Sequence, residues 1–165
     1  MTRQLPQLRK SEKGVMLLEA LIGLLIFSIG ILAMIGMQAA AMSAATDARN
    51  RAEAAAFAND IIGRIWISVD RSSTANLTTS LNSFRFNTGG SDCSYSGGAT
   101  DATNTELASW VSAVTSTSTG LIGATTSMQQ VAVNTGSMNQ VTVTLCWKTA
   151  SDVRSRKHQV MTYVY

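Results

Sequence analysis

The sequence predicts an α+β fold in which one long N-terminal helix packs on a small antiparallel sheet of about three to four strands, with a variable loop carrying a short helix. Three observations lead to it. An uncharged apolar stretch holding one carboxylate covers residues 15–37, Ala-rich sequence without proline continues it to about residue 67, and three runs with alternating apolar residues lie near the end of the chain. Long proline-free apolar and Ala-rich sequence is helical in character, whereas alternation belongs to strands with one buried face.

The 165 residues fit one globular domain plus an appendage. Residues 1–14 are polar and basic, with Arg3, Arg9, Lys10 and Lys13 against Glu12. From Val15 onward nine Lys and Arg balance nine Asp and Glu, so the net charge of +3 belongs to the first fourteen residues. A broad phosphate-binding surface is not indicated, and nucleic acid is not expected as a partner.

Between Val15 and Met37 only Glu19 and Ser28 fall outside the apolar and glycine class. At about 1.5 Å per residue this segment reaches roughly 34 Å, enough to cross a hydrocarbon core. The preceding cations place its start in the cytoplasm and the long C-terminal part outside. The continuation over 38–67 contains only Gly63 as a breaker. There Ala41, Ala45, Ala48, Ala52, Ala55, Ile62 and Trp66 form one weakly apolar face with Ile65 beside it. Arg49, Glu53, Asp60 and Arg64 fall on the other side as two opposite-charge pairs at i,i+4. Four segments result: 1–14, 15–37, 38–67 and a globular part at 68–165.

After Ser68 the texture turns to Ser, Thr, Asn and Gly, which reads as a long connection to about Thr103 with few strand signals. Thr103-x-x-Glu106 then forms a capping-box pattern ahead of Leu107, Trp110, Val111 and Val114, predicting a short amphipathic helix. Strand patterns follow at 129–134, 140–148 and 156–164, separated by Asn134, Gly136 and Asn139 and then by residues 150–154. They predict an antiparallel three-stranded meander, with Trp110 and Trp147 in the core.

Cys93 and Cys146 lie far apart with no CxxC and a single histidine, His158, so neither a metal nor another cofactor is expected. If the apolar run exports the chain, the pair is most simply a disulfide, stabilising the fold by roughly 4 kcal/mol, and two separately buried thiols are the alternative. His158 lies near Ser155 without a nucleophile elbow, and no enzymatic activity is expected. Arg154, Arg156, Lys157 and His158 form the one basic cluster outside the first fourteen residues, read here as solvated charge flanking an edge strand.

Glu19 discriminates among the readings of the apolar run. A secretory signal peptide has an apolar segment of about 7 to 15 residues and a small-residue cleavage site. Ala39-Ala40-Ala41 could serve, but the run is too long and its carboxylate unhelpful. A plain signal anchor explains length and orientation and leaves Glu19 an expensive accident. Cleavage between Gly14 and Val15 explains it, because the new amine of Val15 is a cation on the apolar helix and Glu19 a partner for the amine of a neighbouring copy. Away from water that attraction strengthens and an unpaired charge is penalised.

With its short basic leader, Gly14, and Val15-Met16-Leu17-Leu18-Glu19 opening an uncharged run, the chain resembles the type IV pilin-like proteins, whose signature places Glu at the fifth mature position. Ile29-Gly30-Ile31-Leu32-Ala33-Met34-Ile35-Gly36-Met37-Gln38, Asn59-Asp60-Ile61-Ile62-Gly63-Arg64-Ile65, Leu107-Ala108-Ser109-Trp110 and Leu145-Cys146-Trp147-Lys148 resemble the PilV-type minor pilins. The likeness covers the first 66 residues well and the C-terminal sheet loosely. It implies a leader removed by prepilin peptidase after Gly14, N-methylation of Val15 and a role for Glu19 in subunit assembly. It also implies a structural minor pilin, held in the inner membrane with a periplasmic head and then carried into an extracellular pilus. Its expected partners are the lipid bilayer, the assembly platform, the major pilin and other minor pilins in a tip complex that primes assembly. The alternatives are a minor pseudopilin of a type II secretion system and a DNA-binding or adhesive minor pilin. Val15 stands where Phe or Met is usual, and Met16 where Ser or Thr is common. Gly36 takes the place of a helix proline, so any kink falls to Gly30 and Gly36.

Overall fold

The computed structural model describes residues 13–99, 103–150 and 152–165. The expected leader lies outside them except for Lys13 and Gly14. The chain is α+β, consistent with a pilin-like fold, and divides into two compact units, one up to Thr46 and one, the head, at Asp47–Tyr165.

Helix α1 covers Lys13–Ser68, as the absence of proline and the abundance of alanine predict. In the first unit every residue from Val15 to Thr46 is exposed. In the head, Asn50 is its first buried residue, and Ala54, Ala58, Ile61 and Ile65 follow at 0% exposure. This buried face is rotated from the expected one. Ala41, Ala45, Ala48 and Ala52 are exposed, and Ala55, Ile62 and Trp66 are only partly covered. Alanines at Ala52, Ala54, Ala55, Ala56 and Ala58 mark several faces equally. Burial scales with apolar area at about 25 cal/mol per Å², so Ile61 and Ile65 decide the orientation. The expected ion pairs form, Arg49 to Glu53 at 2.8 Å and Arg64 to Asp60 at 3.0 Å.

Where a loop was expected after Ser68, the chain forms helix α2 at Thr74–Asn82. Ser73 caps it, its Oγ accepting the Asn76 N–H at 3.1 Å, and Leu77 and Leu81, one turn apart, are buried. Phe84 and Phe86 enter the same core, and Phe86 exchanges backbone hydrogen bonds with Val131 at 2.9 and 3.0 Å. A hairpin follows, β1 at Gly89–Ser91 and β2 at Ser94–Ser96. Its turn residues Asp92 and Cys93 both have positive φ, 50° and 65°, as a type I′ turn demands. Asp-Cys is an uncommon pair there, and the buried Tyr95 is the one apolar side chain in two strands otherwise of Gly and Ser, too little for an alternation to show, so this segment reads as loop in the sequence.

Helix α3 occupies Thr105–Thr115 as expected, but its cap is Asn104 and not Thr103. Asn104 Oδ1 accepts the Leu107 N–H at 3.0 Å, and Asn is at least as good a cap as Thr. Glu106, freed from the capping-box role, pairs with Arg64 on α1 at 2.8 Å. Leu107, Trp110 and Val114 are buried, and the Trp110 indole N–H donates to the Phe57 carbonyl at 2.8 Å.

A 3₁₀ turn at Thr126–Met128 leads into β3 at Gln129–Asn134, β4 at Gln140–Trp147 and β5 at Arg156–Tyr163. They form the antiparallel meander β3-β4-β5, with Val131 opposite Val143 and Val143 opposite Val160. Val131, Val141, Val143, Leu145 and Trp147 join the α1 and α3 side chains in one core. Gln129, buried among them, is satisfied by the Cys146 backbone, donating to its carbonyl at 3.0 Å and accepting its N–H at 3.3 Å.

Cys93 and Cys146 are bonded to each other, with Cα atoms 5.7 Å apart, tying the β1–β2 turn to β4. Replacing both cysteines by serine is expected to cost about 2 to 5 kcal/mol of stability. Urea unfolding of the two proteins measures it, and equal midpoints would contradict it.

Candidate functional site: an uncovered apolar helix

Gly14 and Val15 are consecutive residues of α1, and Glu19 lies one helical turn beyond Val15 on the same side. Val15 is 68% exposed, and Glu19 is exposed with no ion pair or hydrogen bond among the described residues. Around it Met16, Leu17, Leu18, Leu21, Ile22, Leu24, Leu25, Ile26 and Phe27 are all at least half exposed. The Ser28 hydroxyl turns back to the Leu24 carbonyl at 2.7 Å, so it presents no unmet polar group to apolar surroundings. By length and composition α1 can cross a membrane once. A Cβ added at Gly23, Gly30 or Gly36 would meet nothing within 4 Å among the described residues, so no packing contact there requires glycine. The helix is continuous through Gly30 and Gly36. Chemically, the first unit is an apolar helix surface carrying one carboxylate that no cation among the described residues matches.

The head carries a polar network where α1 begins to pack. Asp47 binds Arg51 at 3.1 Å on its own helix and Arg156 of β5 at 2.7 Å. Arg156 also binds Asp152 at 3.1 Å, and Asp152 accepts the Thr149 hydroxyl at 2.7 Å. The hydrogen bonds from Arg156 and then from Thr149 hold the Asp152 carboxyl down to about 2. The same contact with Asp152 raises the Arg156 guanidinium above its ordinary value. Because the folded carboxyl is depressed, its contribution is complete above the ordinary value of 3.8 and is lost as pH falls toward about 2. Between pH 4 and pH 2 the wild-type melting temperature should fall further than that of Asp152→Asn. Parallel curves would refute the assignment.

Of the site residues read from the sequence, Cys93 and Cys146 are joined. Gly14, Val15 and Glu19 share one stretch of helix, and Glu19 has no side-chain partner among the described residues. The basic cluster is divided, since Arg156 is engaged by Asp47 and Asp152, while Arg154 and Lys157 have no ion pair among the described residues. Asp47 was missed as the residue that fastens β5 to α1. The i,i+4 spacing with Arg51 was its visible signal, and the link to Arg156 across the fold had none. Among the described residues no group of three or more His, Cys, Asp and Glu is placed to hold a metal. No protein-family model, no curated protein and no solved structure matches the chain.

Proposed function

We propose that the chain is a structural minor pilin, cleaved after Gly14 by prepilin peptidase, methylated on Val15, and built into a type IV pilus with other minor pilins. The observation that carries the reading is the apolar part of α1, uncovered from Val15 to Thr46 apart from its own backbone contacts, with Glu19 its lone acid before Asp47. Such a helix is at home in lipid before assembly and among copies of similar helices afterwards. In either place the acid needs a counter-charge, which the amine of a cleaved neighbour supplies. The disulfide fits an oxidising compartment for the head. The position within the pilus, the priming role and the identity of the partners rest on the resemblance of the N-terminal signature.

N-terminal sequencing with intact-mass measurement of the mature protein tests the reading. The expected result is a chain that starts at Val15 and is heavier by one methyl group. A mature protein starting at Met1 removes the pilin reading, and one starting near Met42 replaces it with secretion.

A further inference from the structure

Strand β5 lies at the edge of its sheet, with no strand on its outer side among the described residues. In the order β3-β4-β5, β5 is terminal. The Val164 N–H donates to the Asn139 carbonyl at 3.2 Å, and the register is continuous from there to Arg156 opposite Trp147. The backbone groups of His158, Val160 and Thr162 therefore face β4, and those of Lys157, Gln159, Met161 and Tyr163 face outward. Among the described residues these outward groups have no hydrogen-bond partner. The side chains of the same four residues are exposed, Met161 at 55% and Tyr163 at 42%. Natural sheet edges are normally blunted by proline, a bulge, charge or a covering segment. Residues 159–163 contain no proline and no charge, and their pairing with β4 has no bulge.

Where β5 begins, a recess of about 500 Å³ is lined by Asp92, Cys93, Arg154, Ser155 and Lys157. One wall is the positive-φ turn Asp92–Cys93, fixed on β4 by the disulfide. Arg154 and Lys157 face it without an ion pair among the described residues, and Asp92 supplies one opposing charge.

We propose that the β5 edge accepts an additional antiparallel strand from another protein, an extended segment whose carboxyl end is acidic and enters the recess beside Arg154 and Lys157. Main-chain hydrogen bonds to Lys157, Gln159, Met161 and Tyr163 give affinity, and the charge at one end fixes direction and register. An antiparallel strand passes Tyr163 first and Lys157 last, which delivers its carboxyl end to the cations. A parallel strand would bring its amino end there. A second copy of β5 paired antiparallel would bring its own apolar Met161–Tyr163 end, leaving Arg154 and Lys157 unmatched. The inference rests on the head alone and holds whatever the role of the N-terminal helix.

The test uses the full chain in detergent and a fluorescent peptide of alternating threonine and valine ending in two aspartates, followed by anisotropy. Saturable binding is expected, weakened about tenfold or more by Arg154→Glu with Lys157→Glu. It should weaken comparably with Met161→Pro, which deletes an outward N–H and leaves the bonds to β4 in place. A peptide N-methylated at alternate residues repeats the edge test with the protein unaltered, should Met161→Pro disturb folding, and is expected not to bind. Absence of saturable binding overturns the proposal. So does binding that the N-methylated peptide reproduces, or displacement of the peptide by duplex DNA at equal affinity, since either outcome assigns Arg154 and Lys157 to charge alone.

Discussion

Glu19→Ala is expected, on the reading proposed above, to leave the protein inserted and cleaved but to reduce its recovery with filaments or with minor pilins about a hundredfold or more. On the proposed reading, insertion depends on the apolar length from Val15 to Met37, which alanine extends, and cleavage on Gly14 and the basic residues before it. Neither needs the carboxylate. Assembly does on the proposed reading, because the amine of a neighbouring Val15 would be left in apolar surroundings without its partner. Breaking a buried charge pair from one side costs about 3 to 5 kcal/mol, and about 1.4 kcal/mol is a factor of ten in an equilibrium. Glu19→Gln keeps the shape and one acceptor while removing the charge, so it should resemble alanine more than wild type. Glu19→Asp keeps the charge on a shorter stem and should recover part of the loss. Co-purification of Glu19→Ala at the wild-type level would sink the pairing role while leaving the membrane helix untouched.

How legible a segment was depended on whether local sequence or distant packing decided its structure. The meander was readable from Val141, Val143, Leu145 and Trp147, because alternation places all four on one face and the turn residues fix the register. The extent of α1 was readable for a similar reason, since helix propensity is a sum over many residues. The face that α1 buries was not, because the alanines between Ala52 and Ala58 differ little in hydrophobicity and the choice belongs to what α3 and the sheet offer opposite Ile61 and Ile65. Helix α2 hid in Ser and Thr, with Leu77 and Leu81 too few to make a period and stabilised by the core they join. The hairpin at Gly89–Ser96 is held by the disulfide, by its own backbone pairing and by the single buried side chain of Tyr95, which among Gly and Ser makes no pattern. The N-terminal signature behaves oppositely: its residues are plain in the sequence, while the partner that the proposed reading gives them would lie in another molecule.

Trp110→Ala should be the most damaging single change in the head, costing about 3 to 5 kcal/mol. Trp110 has 0% exposure at the centre of α3, fills the space between α3 and α1, and donates its indole N–H to the Phe57 carbonyl at 2.8 Å. Truncation leaves a cavity bounded by two helices that are joined elsewhere by the exposed Arg64–Glu106 pair, a contact too weak to close it. Small domains carry about 5 to 15 kcal/mol of stability in total, so a large part of the folded population's margin would be lost. Phenylalanine separates the two contributions. Trp110→Phe loses the hydrogen bond to Phe57 as well as indole volume. Trp147→Phe loses similar volume at 1% exposure, but its indole N–H is buried with no acceptor among the described residues. Removing an unmatched donor offsets part of the cavity cost, whereas removing a matched one adds to it. Urea unfolding should therefore rank Trp147→Phe as the milder change. The reverse order would mean that the Trp110 bond to Phe57 contributes little and that volume alone sets the loss.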